Sequence, residues 1–332
     1  MKVLVIRYGA FGDSIIISAL LRTLKQDGCE VFLHTSERGL MVNEVNPNVD
    51  HFIPYESNSI PLDDLPAFWM QLAHELEVDA IINLTESIER KLCRIEVLKE
   101  EFDKPVSEIF ESCNKNYYEE TIRHIEDNFT IDMLKPEVHF KGSWEKAAKK
   151  HLDWDKFNIL FCLVGSGLQK MYPWTPLIVN ELYKRYGDTV NILTVGDERG
   201  KEIESLMDDR TIKLSGEIHI MESMAITKYA NLVVSPDTGI LHASGCFKTP
   251  KIGLLGHTTI ENITKHFEND YSIEASCECS PCFKIVNDMR KTCPIDPKTG
   301  ACMCMRQGID PNDVLDKVET LYTKWKVRKH GR

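Results

Sequence analysis

Two short turns carry the residues whose types and spacing suit chemistry. Gly9-Ala10-Phe11-Gly12-Asp13 follows the apolar run Val3-Leu4-Val5-Ile6, and Ser235-Pro236-Asp237-Thr238-Gly239 follows Asn231-Leu232-Val233-Val234. In each, small residues and a carboxylate stand where a strand gives way to a helix. The free N–H groups and partial positive charge of a helix start favour anions. Gly9 and Gly12 permit a tight turn and close approach of another group to the backbone. Asp13 then falls at the C-terminal end of the first strand, where open α/β sheets bind their ligands. Such a carboxylate suits a general base acting on an incoming hydroxyl. It equally suits the N-cap of a helix that begins at Ser14. The spacing is not the Gly-x-Gly-x-x-Gly of dinucleotide binding, because the glycines fall only at 9 and 12.

The second turn offers the amides of Thr238 and Gly239 to a diphosphate. Pro236 stiffens its entry, and Gly239 brings no side chain beside the ligand. A plain helix cap by Asp237 or Thr238 is the alternative, and His242, one turn later, is either a site residue or a core histidine. Lys170 ends the loop Gly165-Ser166-Gly167-Leu168-Gln169-Lys170; a lysine there meets phosphate as a point charge, or lies solvated at the surface. Glu198 closes another strand and suits a ribose hydroxyl, or offsets a helix dipole in a first turn. Six of the 11 cysteines crowd one late segment: Cys277, Cys279, Cys282, Cys293, Cys302 and Cys304. Packed free thiols are the expected reading, with a structural zinc site, which the short spacings suit, or reversible disulfides as the alternatives. No catalytic metal is expected there, since the segment lies outside the three motifs.

The elements that position these residues alternate strand and helix, which implies parallel sheets with right-handed crossovers. Strands are expected over 2–7, 31–34, 51–55, 80–84 and 138–140, with helices over 14–25 and 63–77. The alternation restarts with a helix over 144–155. Strands then follow at 159–164, 190–195, 211–214, 232–234 and 251–255. Between them fall helices opened by Thr175-Pro176, with Thr175 as N-cap, and over 221–229 and 239–246. A last helix covers 311–325. The expected domains are 1–150 and 151–332, the second carrying the cysteine segment. The final helix is free to pack back on the first domain.

The 332 residues suit two domains. Hydrophobic content of 42% and charge of 27% are those of a soluble globular chain. The net charge of -11 argues against a nucleic-acid partner. No apolar run approaches the roughly 20 residues of a spanning helix, and the N-terminus lacks the order of parts of a signal peptide. A cytoplasmic protein is expected, with at most a peripheral contact at the inner face of the membrane.

Together these stretches resemble glycosyltransferase family 9, the ADP-heptose:lipopolysaccharide heptosyltransferases. The matching residues are Val3 to Asp13 with the helix behind them, Lys170 before Trp174, Ser235 to Ala243, and Cys279-Ser280-Pro281-Cys282-Phe283. The resemblance implies a GT-B fold, two Rossmann-like domains whose parallel sheets face a central cleft. It implies inverting transfer from an ADP-heptose-like donor to a saccharide or glycolipid hydroxyl, with no cofactor in the chemistry. By resemblance Asp13 is the base, and Gly9, Ala10, Phe11 and Gly12 form the acceptor-side loop. Lys170, Asp237, Thr238 and Gly239 hold the donor diphosphate, with His242 in the same site. Glu198 binds the ribose, and Met221 or its neighbours flank the adenine. One departure stands out. The stretch 56–64 has no Lys or Arg and contains Glu56, Asp63 and Asp64, where the family carries basic residues for a phosphorylated acceptor; Arg90, Lys91 and Arg94 could compensate. A non-catalytic sugar-nucleotide binder and a sugar-nucleotide epimerase of the same architecture are the rival readings.

Overall fold

The computed structural model describes residues 1–56, 64–85, 114–283 and 293–331. Arg90, Lys91, Arg94 and Asp63 lie outside the described residues. Two compact units divide the rest. The first comprises 1–56, 64–85 and 116–139; the second comprises 114–115, 140–283 and 293–331. The division falls at 139/140, so the helix over 142–150 belongs with the second unit.

In the first unit the chain runs β1 (Lys2–Arg7), α1 (Phe11–Ile16), α2 (Ser18–Gln26), β2 (Glu30–Ser36), α3 (Glu37–Asn43), β3 (His51–Tyr55), α4 (Leu65–Glu75), β4 (Ala80–Asn83) and α5 (Tyr117–Ile122). The sheet order is β3-β2-β1-β4, every pair parallel. β1 is central, with Val5 opposite both Leu33 and Ile82. Val3, Leu4, Val5 and Ile6 are fully buried, as expected of a parallel strand covered on both faces. The single helix expected over 14–25 is two helices that meet at Ile17. There the Ser18 hydroxyl donates to the Ile15 carbonyl at 2.6 Å, a local bond that competes with a continuous ladder. The strand expected at 138–140 is absent. Side chains hold its entry instead: the Glu137 N–H donates to Ser18 Oγ at 2.8 Å, and Arg22 bonds the Glu137 carboxylate at 3.2 Å.

The second unit runs α6 (Gly142–Lys150), β5 (Phe157–Cys162), α7 (Thr175–Tyr186), β6 (Val190–Val195), α8 (Gly200–Glu204), β7 (Ile212–Lys213), α9 (Ile220–Tyr229), β8 (Leu232–Pro236), α10 (Gly239–Gly245), β9 (Lys251–Leu255), β10 (Ile273–Glu274), α11 (Met303–Arg306) and α12 (Pro311–His330). Its parallel sheet has the order β10-β9-β8-β5-β6-β7. β5, β6, β8 and β9 are buried along their whole length. Thr175 is not the cap of α7. Trp174 takes that position, and the Thr175 hydroxyl donates to the Tyr172 carbonyl at 3.0 Å. The final helix packs on its own unit, setting Tyr322 and Trp325 against Phe157 with ring centroids 5.6 and 5.4 Å apart. No described helix is long and apolar enough to cross a membrane.

Both sheets reverse direction at one point. In the first, β1 leads to β2 on one side while β4 lies on the other. In the second, β5 leads to β6 while β8 leads the other way to β9. Loops at such a reversal splay apart and leave a crevice at the carboxyl ends of the strands. Arg7 to Asp13 follow β1 at the first reversal. Gly165 to Lys170 and Asp237 to Gly239 follow β5 and β8 at the second.

Candidate active site

At the first reversal Gly9 has φ +140°, and a Cβ there would come within 2.5 Å of Asp13 Oδ2. Backbone angle and space therefore both require glycine. The turn brings Asp13 to the third position of α1 rather than to its cap, which is Ala10. The Ala10 N–H donates to Asp13 Oδ2 at 2.6 Å, and the Arg7 guanidinium pairs with Oδ1. Arg7 is buried and its other terminal nitrogen donates to the Leu84 carbonyl, just past β4, at 2.6 Å. A guanidinium braced on the neighbouring strand thus aims the Asp13 carboxylate, which remains 15% exposed. Gly12 is buried behind it, and Arg38 lies over the Phe11 ring at 5.7 Å. The Ser36 hydroxyl donates to the Gly9 carbonyl at 3.2 Å and joins this loop to the end of β2.

The second reversal gathers four titratable side chains. Asp237 leaves the end of β8 nearly buried. Its Oδ1 lies 3.3 Å from His242 Nε2 on α10; its Oδ2 lies 3.4 Å from Lys170 Nζ and 3.5 Å from His257 Nε2. Burial alone would raise the pKa of Asp237. The charge of Lys170, with His242 and His257, outweighs burial and holds the carboxyl well below the usual carboxylate range. Lys170 closes a 3-10 turn and is 14% exposed, so it can reach a ligand. Gly165 allows the two loops to meet: a Cβ there would fall 2.6 Å from Lys170 Cβ and 2.9 Å from Thr238 Cγ2. Thr238 is the N-cap of α10 but makes no side-chain cap. Its hydroxyl lies 3.0 Å from Ser235 Oγ and 3.6 Å from Cys162 Sγ. Gly239 begins the helix, whose first amides have no intrahelical acceptor.

Glu198 and Met221 make other contacts. The Glu198 side chain is 73% exposed and pairs with Lys201 at 3.0 Å. Met221 is fully buried on α9, and its N–H donates to His219 Nδ1 at 3.2 Å. Three contributors were not singled out in the sequence. Arg7 aims Asp13, Arg199 donates to the Gly165 carbonyl at 2.7 Å and braces the Lys170 loop, and His257 completes the surroundings of Asp237. His257 follows β9 and Gly256, and a polar residue in the glycine-containing loop after a strand is a signal that could have found it.

His257 makes a pH prediction. Burial first, then the neighbouring Lys170, pushes its pKa from 6.5 down to about 4. In that window the unfolded chain binds a proton that the folded chain refuses. Stability therefore falls as pH drops from 6.5 to 4, by on the order of 3 kcal/mol at about 1.4 kcal/mol per unit. Chemical denaturation across this range should show a shallower acid loss for His257→Gln than for the native protein; equal slopes would contradict this.

The six late cysteines do converge. Cys302 and Cys304 are buried, Cys277 and Cys279 have sulfurs 3.6 Å apart, and Cys277, Cys279 and Cys293 pack against the core of the second unit. Burial and the neighbouring Cys277 push the Cys279 thiol up to about 12. All six, Cys282 included, are free thiols. Among the described residues no group of three or more His, Cys, Asp or Glu side chains is arranged to hold a metal ion. Cys302 and Cys304 serve as packing groups of that core.

The model of glycosyltransferase family 9 (heptosyltransferase) matches residues 117–293, just over half of the chain. The chain belongs to glycosyltransferase family 9. The match takes in Lys170, Asp237, Thr238, Gly239 and His242 and leaves Asp13 outside it. No curated protein matches the sequence. Among solved structures, a family 9 glycosyltransferase from Veillonella parvula DSM 2008 is similar, with 16% identity, TM-score 0.69 and 97% of each chain covered. The ADP-heptose lps heptosyltransferase II of E. coli shares 16% identity at TM-score 0.64, covering 98% of this chain and 100% of that one. The iron-containing dodecameric heptosyltransferase TibC, solved with ADP-D-beta-D-heptose, shares 9% identity at TM-score 0.61, covering 98% of this chain and 76% of that one. The family 9 protein is a glycosyltransferase whose two parallel-sheet units are similar to those of GT-B heptosyltransferases.

Proposed function

We propose that this glycosyltransferase moves a heptose from an ADP-linked donor to a hydroxyl of a saccharide or glycolipid acceptor of the lipopolysaccharide type, with inversion. The observation that carries the donor half is the buried Asp237 with Lys170 and His242 at the start of α10, beside a glycine that keeps the two loops in contact. Lys170 and the amides of Thr238 and Gly239 meet the diphosphate. Negative charge grows on the departing ADP as its bond to the anomeric carbon breaks, and donors already aimed at that charge lower the barrier. Asp13 takes the proton of the acceptor hydroxyl as its oxygen bonds the anomeric carbon from the opposite face. Lys170 and the amides carry the charge that a metal ion would otherwise neutralise, so chelation with EDTA should leave the rate unchanged. TibC, a family relative in fold, was solved with ADP-D-beta-D-heptose, which supports adenine and heptose here. A glycolipid acceptor would bring the protein to a membrane surface.

Thermal shift with a panel of nucleoside diphosphates tests the donor. ADP should raise Tm more than UDP, GDP or CDP, and ADP-heptose should release ADP only when an acceptor is present. Release of free epimerised donor without acceptor would favour an epimerase instead.

A further inference from the structure

His257 is a buried histidine whose two ring nitrogens have no hydrogen-bond partner among the described residues. A buried polar atom left without a partner is costly, and these two nitrogens are open to a partner that arrives later. The backbone holds the ring in place. The His257 carbonyl accepts the Phe283 N–H at 2.8 Å, and the Gly256 carbonyl accepts the Ser280 hydroxyl at 2.9 Å. A Cβ at Gly256 would meet Met305 Sδ at 2.5 Å. Asp237 Oδ2 lies 3.5 Å from Nε2 of the ring, and the same oxygen is 3.4 Å from Lys170 Nζ.

One carboxylate oxygen therefore faces two nitrogen donors, and neither contact is a short bond. If Lys170 is to meet a diphosphate it must turn from Asp237, and a buried carboxylate stripped of its cation is strongly destabilised. We propose that His257 is a positioning residue that takes over Asp237 Oδ2 through its Nε2–H when Lys170 turns to the donor diphosphate. The imidazole lets the lysine leave without stranding the carboxylate, and no covalent bond changes. This inference rests on the proposed diphosphate site. Nothing in the family match assigns a role to His257.

The test measures ADP and AMP binding to the full chain by calorimetry, for the native protein and for His257→Phe, His257→Gln and Lys170→Ala. AMP lacks the second phosphate for which Lys170 must leave Asp237. A hydrogen bond to a charged group contributes about 1.5–3 kcal/mol, so His257→Phe should weaken ADP roughly ten- to a hundredfold and AMP less than twofold. His257→Gln, which can donate to Oδ2, should restore ADP binding to within about threefold. Unchanged ADP affinity in His257→Phe, or equal losses for ADP and AMP, overturns the role of His257 while a selective loss in Lys170→Ala leaves the diphosphate site standing. If Lys170→Ala also binds both nucleotides like the native protein, the diphosphate site itself is wrong and the inference falls with it.

Discussion

Asp13→Asn is expected to lower kcat by about 10²- to 10⁴-fold, the range set by loss of a positioned general base, with ADP affinity unchanged. Asparagine keeps the size of the side chain and an oxygen for either the Ala10 N–H or Arg7, the two partners that aim the carboxylate. It cannot accept a proton from an acceptor hydroxyl. The loss should therefore appear in the chemical step, as a slow single turnover with ADP-heptose already bound. Asp13→Ala removes the base and also the bond to the first turn of α1, so it should lose stability as well. A nearly native kcat in the Asn variant would remove Asp13 from the reaction and leave it as the first-turn partner of Ala10.

The largest stability effect is expected at Asp237. Its carboxylate is the common partner of Lys170, His242 and His257. Asp237→Ala leaves the Lys170 ammonium facing a buried site without its anion, and breaking a buried pair from one side costs about 3–5 kcal/mol. For a unit of this size each kcal/mol shifts Tm by about 2–4 °C, so calorimetry should show a fall of roughly 6–20 °C. The double variant Asp237→Ala with Lys170→Met removes both charges and should recover part of that loss, because no ion is left unpaired. A fall of under 2 °C in the single variant would mean that Lys170 escapes to solvent and that the cluster is not a buried unit.

Much of this was legible in the chain because parallel strands buried on both faces are written as unbroken apolar runs. Strands 2–7, 190–195 and 251–255 lie where those runs stand, and the loop that ends the first lies at a sheet reversal. What the sequence concealed depends on particular side-chain bonds, some local and some distant in the chain. Nothing near Ile17 announces that the Ser18 hydroxyl will interrupt a helix. Val138-His139-Phe140 has strand composition, yet Glu137 is held by Ser18 and Arg22 of α2. Thr175 before Pro176 has the composition of a cap, but its hydroxyl turns back to Tyr172. The cysteine spacings left packed thiols, disulfides and a metal open; Cys302 and Cys304 are core residues beside Met305. His257 escaped notice because its meaning comes from Asp237, twenty positions earlier, across the β8–β9 pair.

The Asp237 carboxylate gives the Lys170 site its own counter-anion. With His257 neutral, Lys170 and Asp237 cancel, so the resting crevice presents almost no net field to small monoanions. Free phosphate, chloride or sulfate would have to displace a carboxylate that is already in place and already desolvated. A nucleotide sugar brings two phosphates and further contacts, and can outcompete it. The internal ion thus acts as a selectivity threshold, and inhibition by inorganic anions should be weak and only shallowly dependent on ionic strength.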